Sequence, residues 1–146
     1  MKLHILAIGV HPDDIELSCT GTLLKHIDLG YTVGLLDLTR GELGTRGSAA
    51  LRTEEATHAA KLMNVAVREQ LDLEDGFFTH NEANLRKIIR AIRQYCPDIV
   101  LANAIDDRHP DHARAAKLVA DACFLSGLIK IETFDDAGIA QAAWRP

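Results

Sequence analysis

The residues best suited to chemistry in this 146-residue sequence lie in two short clusters of histidine and aspartate. The first is His11-Pro12-Asp13-Asp14, and the second, far downstream, is His109-Pro110-Asp111-His112. Imidazole nitrogens and carboxylate oxygens are ligands that zinc prefers, and a catalytic zinc uses three of them and keeps one position for water. The two clusters therefore predict a hydrolytic zinc site, provided that the fold brings them together.

The spacing of the first cluster suggests which residues bind the ion. His11 and Asp14 are three positions apart, so a strand end and a helix start can point both side chains at one metal. His112, at the start of a later helix, supplies the third ligand. Asp13 does not easily share the ion with Asp14, and it is placed to act as general base for the attacking water.

The second cluster adds two supporting groups. His109 lies one helical turn before His112, where it could donate a proton or a hydrogen bond to the developing oxyanion. Asp111 could hold an imidazole in its correct tautomer. We therefore predict His109 and Asp111 as catalytic residues beside Asp13.

Two simpler explanations stay open at this point. An aspartate at a helix start is often an N-cap or a partner of the helix dipole, which would explain Asp13, Asp14 or Asp111 without any metal. Fe(II), Co(II) or Mn(II) also suit a site of two histidines and one aspartate. Two such clusters, each after a predicted strand, favour the metal interpretation.

The hydrophobic pattern predicts four strands that alternate with four helices. The predicted strands span 3–10, 32–39, 69–73 and 98–102, and the helices span about 15–29, 48–64, 81–96 and 111–125. An apolar piece at 128–131 is either a further strand or a helix end, and 134–146 shows no clear pattern. This alternation predicts one α/β domain over 1–146, with a Rossmann-like, mostly parallel sheet and helices on both faces.

A sheet of this kind binds ligands outside the carboxyl ends of its strands. The first cluster follows the first predicted strand, and the second cluster follows the fourth. A glycine-rich loop, 40–47, follows the second strand. Every unusual polar cluster therefore falls on one edge of the predicted sheet.

The glycine-rich loop does not match a nucleotide site. It lacks the Lys-Ser/Thr ending of a P-loop, and the first turn lacks G-x-G-x-x-G, so a nucleotide-binding module is the disfavoured alternative from another class. Its glycines are expected to bring Arg46 to the rim of the site. Arg46 and Arg52 are predicted to bind substrate, because guanidinium groups form bidentate hydrogen bonds with carboxylates. Arg108 is instead predicted to be a solvated surface charge.

Composition excludes several other classes of protein. Hydrophobic residues make up 47% of the chain, charged residues 25%, and the net charge is −5. An acidic chain with no basic stripe lacks the electrostatic footprint of a nucleic-acid binder. No apolar run reaches membrane-spanning length and no signal peptide is visible, so a cytoplasmic location is expected. The three cysteines are too widely spaced for a C-x-x-C motif.

The paired clusters resemble the two motifs of the LmbE-like, or PIG-L, family of zinc-dependent N-deacetylases. Their first motif corresponds to His11-Pro12-Asp13-Asp14 and their second, H-x-D-H, to His109-Pro110-Asp111-His112. The resemblance covers nearly the whole chain. It implies the same assignment: zinc on His11, Asp14 and His112, Asp13 as base, and His109 as oxyanion or acid group supported by Asp111.

Within that family, three segments are similar to the bacillithiol-biosynthesis deacetylases: Thr39 to Gly47, Ser126-Gly127-Leu128 and Trp144-Arg145-Pro146. Those enzymes remove acetate from N-acetylglucosaminyl-malate. The resemblance implies a small N-acetylglucosamine conjugate as substrate and places Arg52 near the sugar. A bacillithiol S-conjugate amidase or another N-acetyl-sugar deacetylase is the alternative.

Family members usually continue for many more residues, whereas this chain stops at Pro146. The resemblance implies that a C-terminal part is absent, and a folded chain without activity is therefore a further alternative. A homo-oligomer is compatible with the sequence.

Overall fold

Strands and helices alternate along the whole chain, and the computed structural model describes residues 1–146. The elements, in chain order, are β1 (Ile5–Gly9), α1 (Asp14–Asp28), β2 (Val33–Asp37), α2 (Ala49–Met63), β3 (Val67–Gln70), α3 (Glu82–Tyr95), β4 (Ile99–Leu101) and α4 (Pro110–Leu125). The predicted order of elements is confirmed.

The four strands form one sheet in the order β3-β2-β1-β4. All three strand pairs are parallel. Such pairs need crossover connections, which α1, α2 and α3 provide, whereas α4 follows the last strand. This topology confirms the predicted α/β class and places the carboxyl end of β1 between those of β2 and β4.

Helices cover both faces of the sheet because side chains of a strand alternate between its faces. Leu6 and Ile8 of β1 belong to the larger core cluster, which includes Ile88 of α3 and Leu118 of α4. Ile5 and Ala7 belong to the smaller cluster on the other face, with Ile15 and Leu23 of α1 and Met63 of α2. The central strand is thus buried on both sides, as its continuous apolar run predicted.

The structure corrects two predicted boundaries. β3 covers Val67–Gln70 rather than 69–73, and it pairs in register with residues 34–37 of β2. The chain continues beside β2 through the Leu71 and Leu73 amides but leaves the strand geometry. Residues 128–131 form a turn-rich segment after α4, so the suggestion of a further strand there was wrong.

No helix combines the length and the apolar character that crossing a membrane requires.

Arg93 of α3 holds this turn-rich segment in place. The residue is 5% exposed, and its guanidinium donates to the carbonyl oxygens of Ser126, Leu128 and Ile131 and to the Thr133 hydroxyl. These partners follow the carboxyl end of α4, where a positive charge is favourable. A single buried cation therefore joins α3 to the segment after α4.

We expect Arg93→Met to lower the free energy of unfolding by about 2–4 kcal/mol, because it leaves several buried acceptors without a donor. Urea unfolding measures the loss. Lys87→Met is the matched control on the same helix: Lys87 pairs with Asp72 at 2.8 Å, and both side chains are more than a third exposed. Such a surface pair contributes about 0–1 kcal/mol. Equal losses in the two variants would contradict the role given to Arg93.

Candidate metal centre

The two histidine–aspartate clusters meet at the carboxyl edge of the sheet, as the topology requires. They surround a cavity of about 310 Å³. Most of the predicted site residues line it: His11, Asp13, Asp14, Arg52, His109 and His112. His11 and Asp13 come from the turn between β1 and α1, and Asp14 is the first residue of α1. Arg52 comes from α2, and the two histidines of the second cluster come from the start of α4.

The three predicted metal ligands converge on one point. Asp14 Oδ1 lies 3.3 Å from His112 Nε2 and 3.7 Å from His11 Nδ1. One ligand atom from each residue lies within 4.8 Å of the other two. Ligand atoms on one tetrahedral zinc ion lie about 3.3–3.6 Å apart, given bonds of about 2.0–2.2 Å. The donor set therefore fits a zinc ion or a similar divalent cation.

Asp14 divides its two carboxylate oxygens between two tasks. Oδ2 accepts hydrogen bonds from the backbone amides of Val10 and His11 and from the side chain of Asn103. Oδ1 is left facing the two imidazoles. Burial opposes ionisation of Asp14, but hydrogen bonds from His11 and Asn103 outweigh it and lower the pKa of this carboxyl well below its usual range. The Asp14 carboxyl is therefore ionised at neutral pH, as a metal ligand has to be.

One ring nitrogen of His112, Nε2, faces the site without a proton. Its Nδ1 lies 3.0 Å from Asp107 Oδ2, which places the ring proton on Nδ1 and leaves a lone pair on Nε2. Nε2 is buried and has no hydrogen-bond partner. A buried acceptor without a partner costs free energy, and this one faces a carboxylate oxygen at 3.3 Å. A cation between the two atoms removes both penalties.

His11 is flanked by carboxylates on both nitrogens. Its Nδ1 faces Asp14, and its Nε2 lies 3.0 Å from Asp75 Oδ1. Burial lowers the pKa of the His11 imidazole, but the neighbouring carboxylates of Asp14 and Asp75 outweigh it, so that the pKa is raised above its ordinary value. This surplus of negative charge also suits a divalent cation.

A second set of possible ligand atoms shares His11 and adds His109 and Asp111. Its carboxylate is already engaged, because Asp111 Oδ2 accepts the Gly76 amide at 2.8 Å and Oδ1 accepts Arg114 at 2.9 Å. The unpartnered His112 nitrogen belongs to the first set. The geometry therefore favours His11, Asp14 and His112 as the metal ligands.

Asp13 occupies the N-cap position of α1, but its side chain makes no capping hydrogen bond. Its Oδ1 instead pairs with Arg52 Nη2 at 3.0 Å, and about half of the side chain remains exposed to the cavity side. Arg52 also donates to the Gly41 carbonyl at 3.2 Å. Gly41 has a φ of +62°, and a Cβ there would collide with the guanidinium, so this glycine makes room for Arg52.

His109 and Asp111 take different positions. His109 is exposed at the N-cap of α4, and its Nδ1 accepts the backbone amide of Asp111 at 3.3 Å. The neutral ring therefore carries its proton on Nε2. Its ring stacks on that of His112 with centroids 4.6 Å apart. The Asp111 side chain is fully buried below the site and anchors the Gly76 loop.

Three other polar residues, Arg46, Arg108 and His80, do not line the cavity. Arg46 and Arg108 are exposed and are not among the residues that line the cavity. The arginine that lines the cavity is Arg52 of α2, which packs against Gly41 of the glycine-rich loop, and a substrate role for Arg46 stays a prediction. His80 pairs with Asp121 of α4 at 2.8 Å.

Sequence reasoning missed the outer partners of the ligands: Asp75, Asn103 and Asp107. Two signals were available. Asp75 precedes a glycine in the loop after β3, on the same edge of the sheet as the clusters. Asp107 lies in the loop that ends in His109. Neither signal says which histidine the carboxylate contacts.

Comparison with known proteins finds one matching family model and several similar sequences and structures. The family model described as PIG-L, GlcNAc-PI de-N-acetylase, matches residues 6–123. A probable N-acetyl-alpha-D-glucosaminyl L-malate deacetylase 2 of Bacillus anthracis is 28% identical over 137 residues, covering 82% of this chain and 58% of that protein.

Two solved structures are similar in fold as well as sequence. The conserved protein TT1542 of Thermus thermophilus is 36% identical with a TM-score of 0.87, over 98% of this chain and 62% of its own. The N,N'-diacetylchitobiose deacetylase of Pyrococcus horikoshii is 29% identical with a TM-score of 0.80, over 86% of this chain and 51% of its own. The chain thus spans between about half and three fifths of each of these three relatives.

Proposed function

Because the chain belongs to the PIG-L family of de-N-acetylases, we propose that it hydrolyses the N-acetyl group of an N-acetylglucosamine conjugate. The reaction would use a divalent metal ion, and zinc is the first candidate. One observation supports the metal above all others. The buried His112 Nε2 has no hydrogen-bond partner and faces the Asp14 carboxylate at 3.3 Å, beside His11.

The residues around the cavity divide the reaction among them. Zinc held by His11, Asp14 and His112 would polarise the acetyl carbonyl and acidify water. The Asp13 side chain makes no capping hydrogen bond to α1. It accepts a proton of the water as the water adds to the carbonyl carbon. Arg52 holds the Asp13 carboxylate in one orientation.

The second half of the reaction breaks the amide bond. His109 carries its proton on Nε2, from which it can donate a hydrogen bond to the oxyanion of the tetrahedral intermediate. When the carbon–nitrogen bond breaks, the sugar amine takes a proton from Asp13 or His109. Acetate and the ammonium form of the amino sugar are the products, so the water supplies the new carboxylate oxygen and the two protons that the amine nitrogen gains.

For the substrate we propose N-acetylglucosaminyl-malate, the intermediate of bacillithiol biosynthesis. The similar protein of Bacillus anthracis is named for that substrate, and Arg52 supplies a guanidinium in the cavity for a carboxylate or a hydroxyl group. Another N-acetyl sugar is the second candidate, because the similar Pyrococcus horikoshii enzyme is a diacetylchitobiose deacetylase. A bacillithiol S-conjugate would use the same site with a different leaving group.

The turn after β1 disfavours nucleotide binding. In dinucleotide-binding folds the amides of this turn and of the following helix start bind phosphate. Here the Val10 and His11 amides already donate to Asp14 Oδ2. A phosphate would have to displace a built-in carboxylate from those donors.

The test combines metal content with product release. We expect the purified protein, loaded with zinc and freed of excess metal, to hold about one equivalent and to release acetate from N-acetylglucosaminyl-malate. A chelator should remove both the metal and the activity, and zinc should restore them. Rates on N,N'-diacetylchitobiose and on a bacillithiol S-conjugate, measured in parallel, rank the substrates. Stoichiometric zinc without release of acetate from N-acetylglucosaminyl-malate or from N,N'-diacetylchitobiose would contradict the deacetylase assignment, and hydrolysis of the S-conjugate, which releases no acetate, is measured by the free amine that it produces.

A further inference from the structure

Asp75 is a buried carboxylate that joins two loops of the site. It lies in the loop after β3, is 5% exposed, and its Oδ1 is 3.0 Å from His11 Nε2. Its Oδ2 accepts the backbone amide of Leu43 at 2.9 Å, and its own amide donates to Glu42 Oε1 at 2.9 Å. Both carboxylate oxygens are therefore used, one by the end of β1 and one by the loop after β2.

Asp75 is also the preferred partner of the His11 ring. Asp111 Oδ2 lies 3.6 Å from the same Nε2, beyond hydrogen-bond distance. That oxygen already accepts the Gly76 amide. The nearer carboxylate therefore fixes the orientation of the imidazole, and Asp111 supports the loop on which Asp75 lies.

We propose that Asp75 is the positioning residue for His11, a role that rests on the metal site of the proposed function. By accepting the proton on Nε2, it keeps the Nδ1 lone pair of His11 directed at Asp14 Oδ1. A carboxylate on the outer nitrogen of a histidine ligand fixes its tautomer and makes it a stronger ligand. Through Oδ2 the same carboxylate ties the loop of Leu43, which lines the cavity, to the ligand.

The substitution Asp75→Asn tests whether Asp75 positions the His11 ring through its hydrogen bond or only fills space beside it. The His11 ring and the Leu43 amide both donate to Asp75, and an asparagine side chain has only one acceptor oxygen to offer them. We expect the affinity for Zn(II), or for Co(II) as a spectroscopic probe, to fall about 10- to 100-fold. The d–d spectrum of the Co(II) protein should also change, because the His11 ring is less constrained.

Asp72→Asn is the matched control. Asp72 lies three residues earlier, its side chain is 69% exposed, and its partner is Lys87. This variant should bind metal like the wild type. Metal affinity of Asp75→Asn equal to that of Asp72→Asn would overturn the proposal.

The tautomer of His11 can be measured on the wild-type protein, so this second test does not depend on whether a variant folds. Nitrogen-15 chemical shifts of His11 in the metal-free protein, at a pH where the ring is neutral, should show the proton on Nε2. A proton on Nδ1 would overturn the role of Asp75. If the wild type bound no divalent metal, the metal site of the proposed function would fail, and the Nε2 proton would still show that Asp75 sets the tautomer.

Discussion

Asp13→Asn is expected to lower kcat/KM for deacetylation by about 10²- to 10⁴-fold while the zinc content stays at the wild-type level. The reason is that the two adjacent aspartates after β1 make different contacts. Asp14 faces the two imidazoles, whereas Asp13 points its carboxylate at Arg52 and makes no capping bond to α1. An amide of the same shape keeps a contact with Arg52 but cannot accept the proton of the attacking water.

The measurement is the rate of acetate release together with metal content on the same preparation. Asp28→Asn is the matched control, since Asp28 is an exposed aspartate at the other end of α1. This control should retain full activity. An Asp13→Asn protein that is as active as the control would eliminate Asp13 as the base. Loss of zinc together with activity would instead make Asp13 part of the metal site.

The fold was predictable because its signals are local. β1, β2 and β4 are short apolar runs, and α3 has apolar residues at helical spacing. Two of the helices begin at caps, Ser48 and Asn81, which accept the amides of Leu51 and Asn84. Boundaries at the edges were less predictable. The alternating residues after β3 look like strand, but pairing with β2 ends at Gln70, because β2 itself ends at Asp37.

The convergence of the three proposed metal ligands was predictable for a related reason. His11 and Asp14 lie within one turn of the chain, and parallel topology brings His112 to the same edge of the sheet. The carboxylates behind them were not predictable. Asp75 follows β3, and β2 lies between β3 and β1 in the sheet, but the Asp75 carboxylate still contacts the His11 ring. Such a contact depends on how two loops pack, which no spacing in the sequence records.

The segment after α4 shows the same limit in the core. Residues 128–131 have the apolar character of a strand, but their conformation depends on Arg93, which lies on α3 and donates to carbonyls of that segment. Backbone carbonyls carry no residue-specific signal. A buried arginine without a carboxylate partner is therefore visible only in the structure.

His112→Ala is expected to weaken metal binding by more than the roughly 10- to 100-fold that the loss of an outer hydrogen-bond partner costs, because it removes a ligand itself. Only His11 and Asp14 would remain of the three donors. His58→Ala is the matched control, since His58 is exposed on α2 and far from the clusters in the sequence. Competition with a chromophoric chelator measures the zinc affinity of each variant, and thermal unfolding without metal shows whether each remains folded.

His109→Ala completes the experiment, because the alternative donor set contains His11, His109 and Asp111. If the ligands are those proposed, His109→Ala keeps its zinc and loses activity, whereas His112→Ala loses both. The reverse pattern of zinc content would move the metal to the alternative set. That outcome would leave the buried His112 Nε2 without a partner, so the same pair of variants tests whether the unpartnered nitrogen is a reliable sign of the metal.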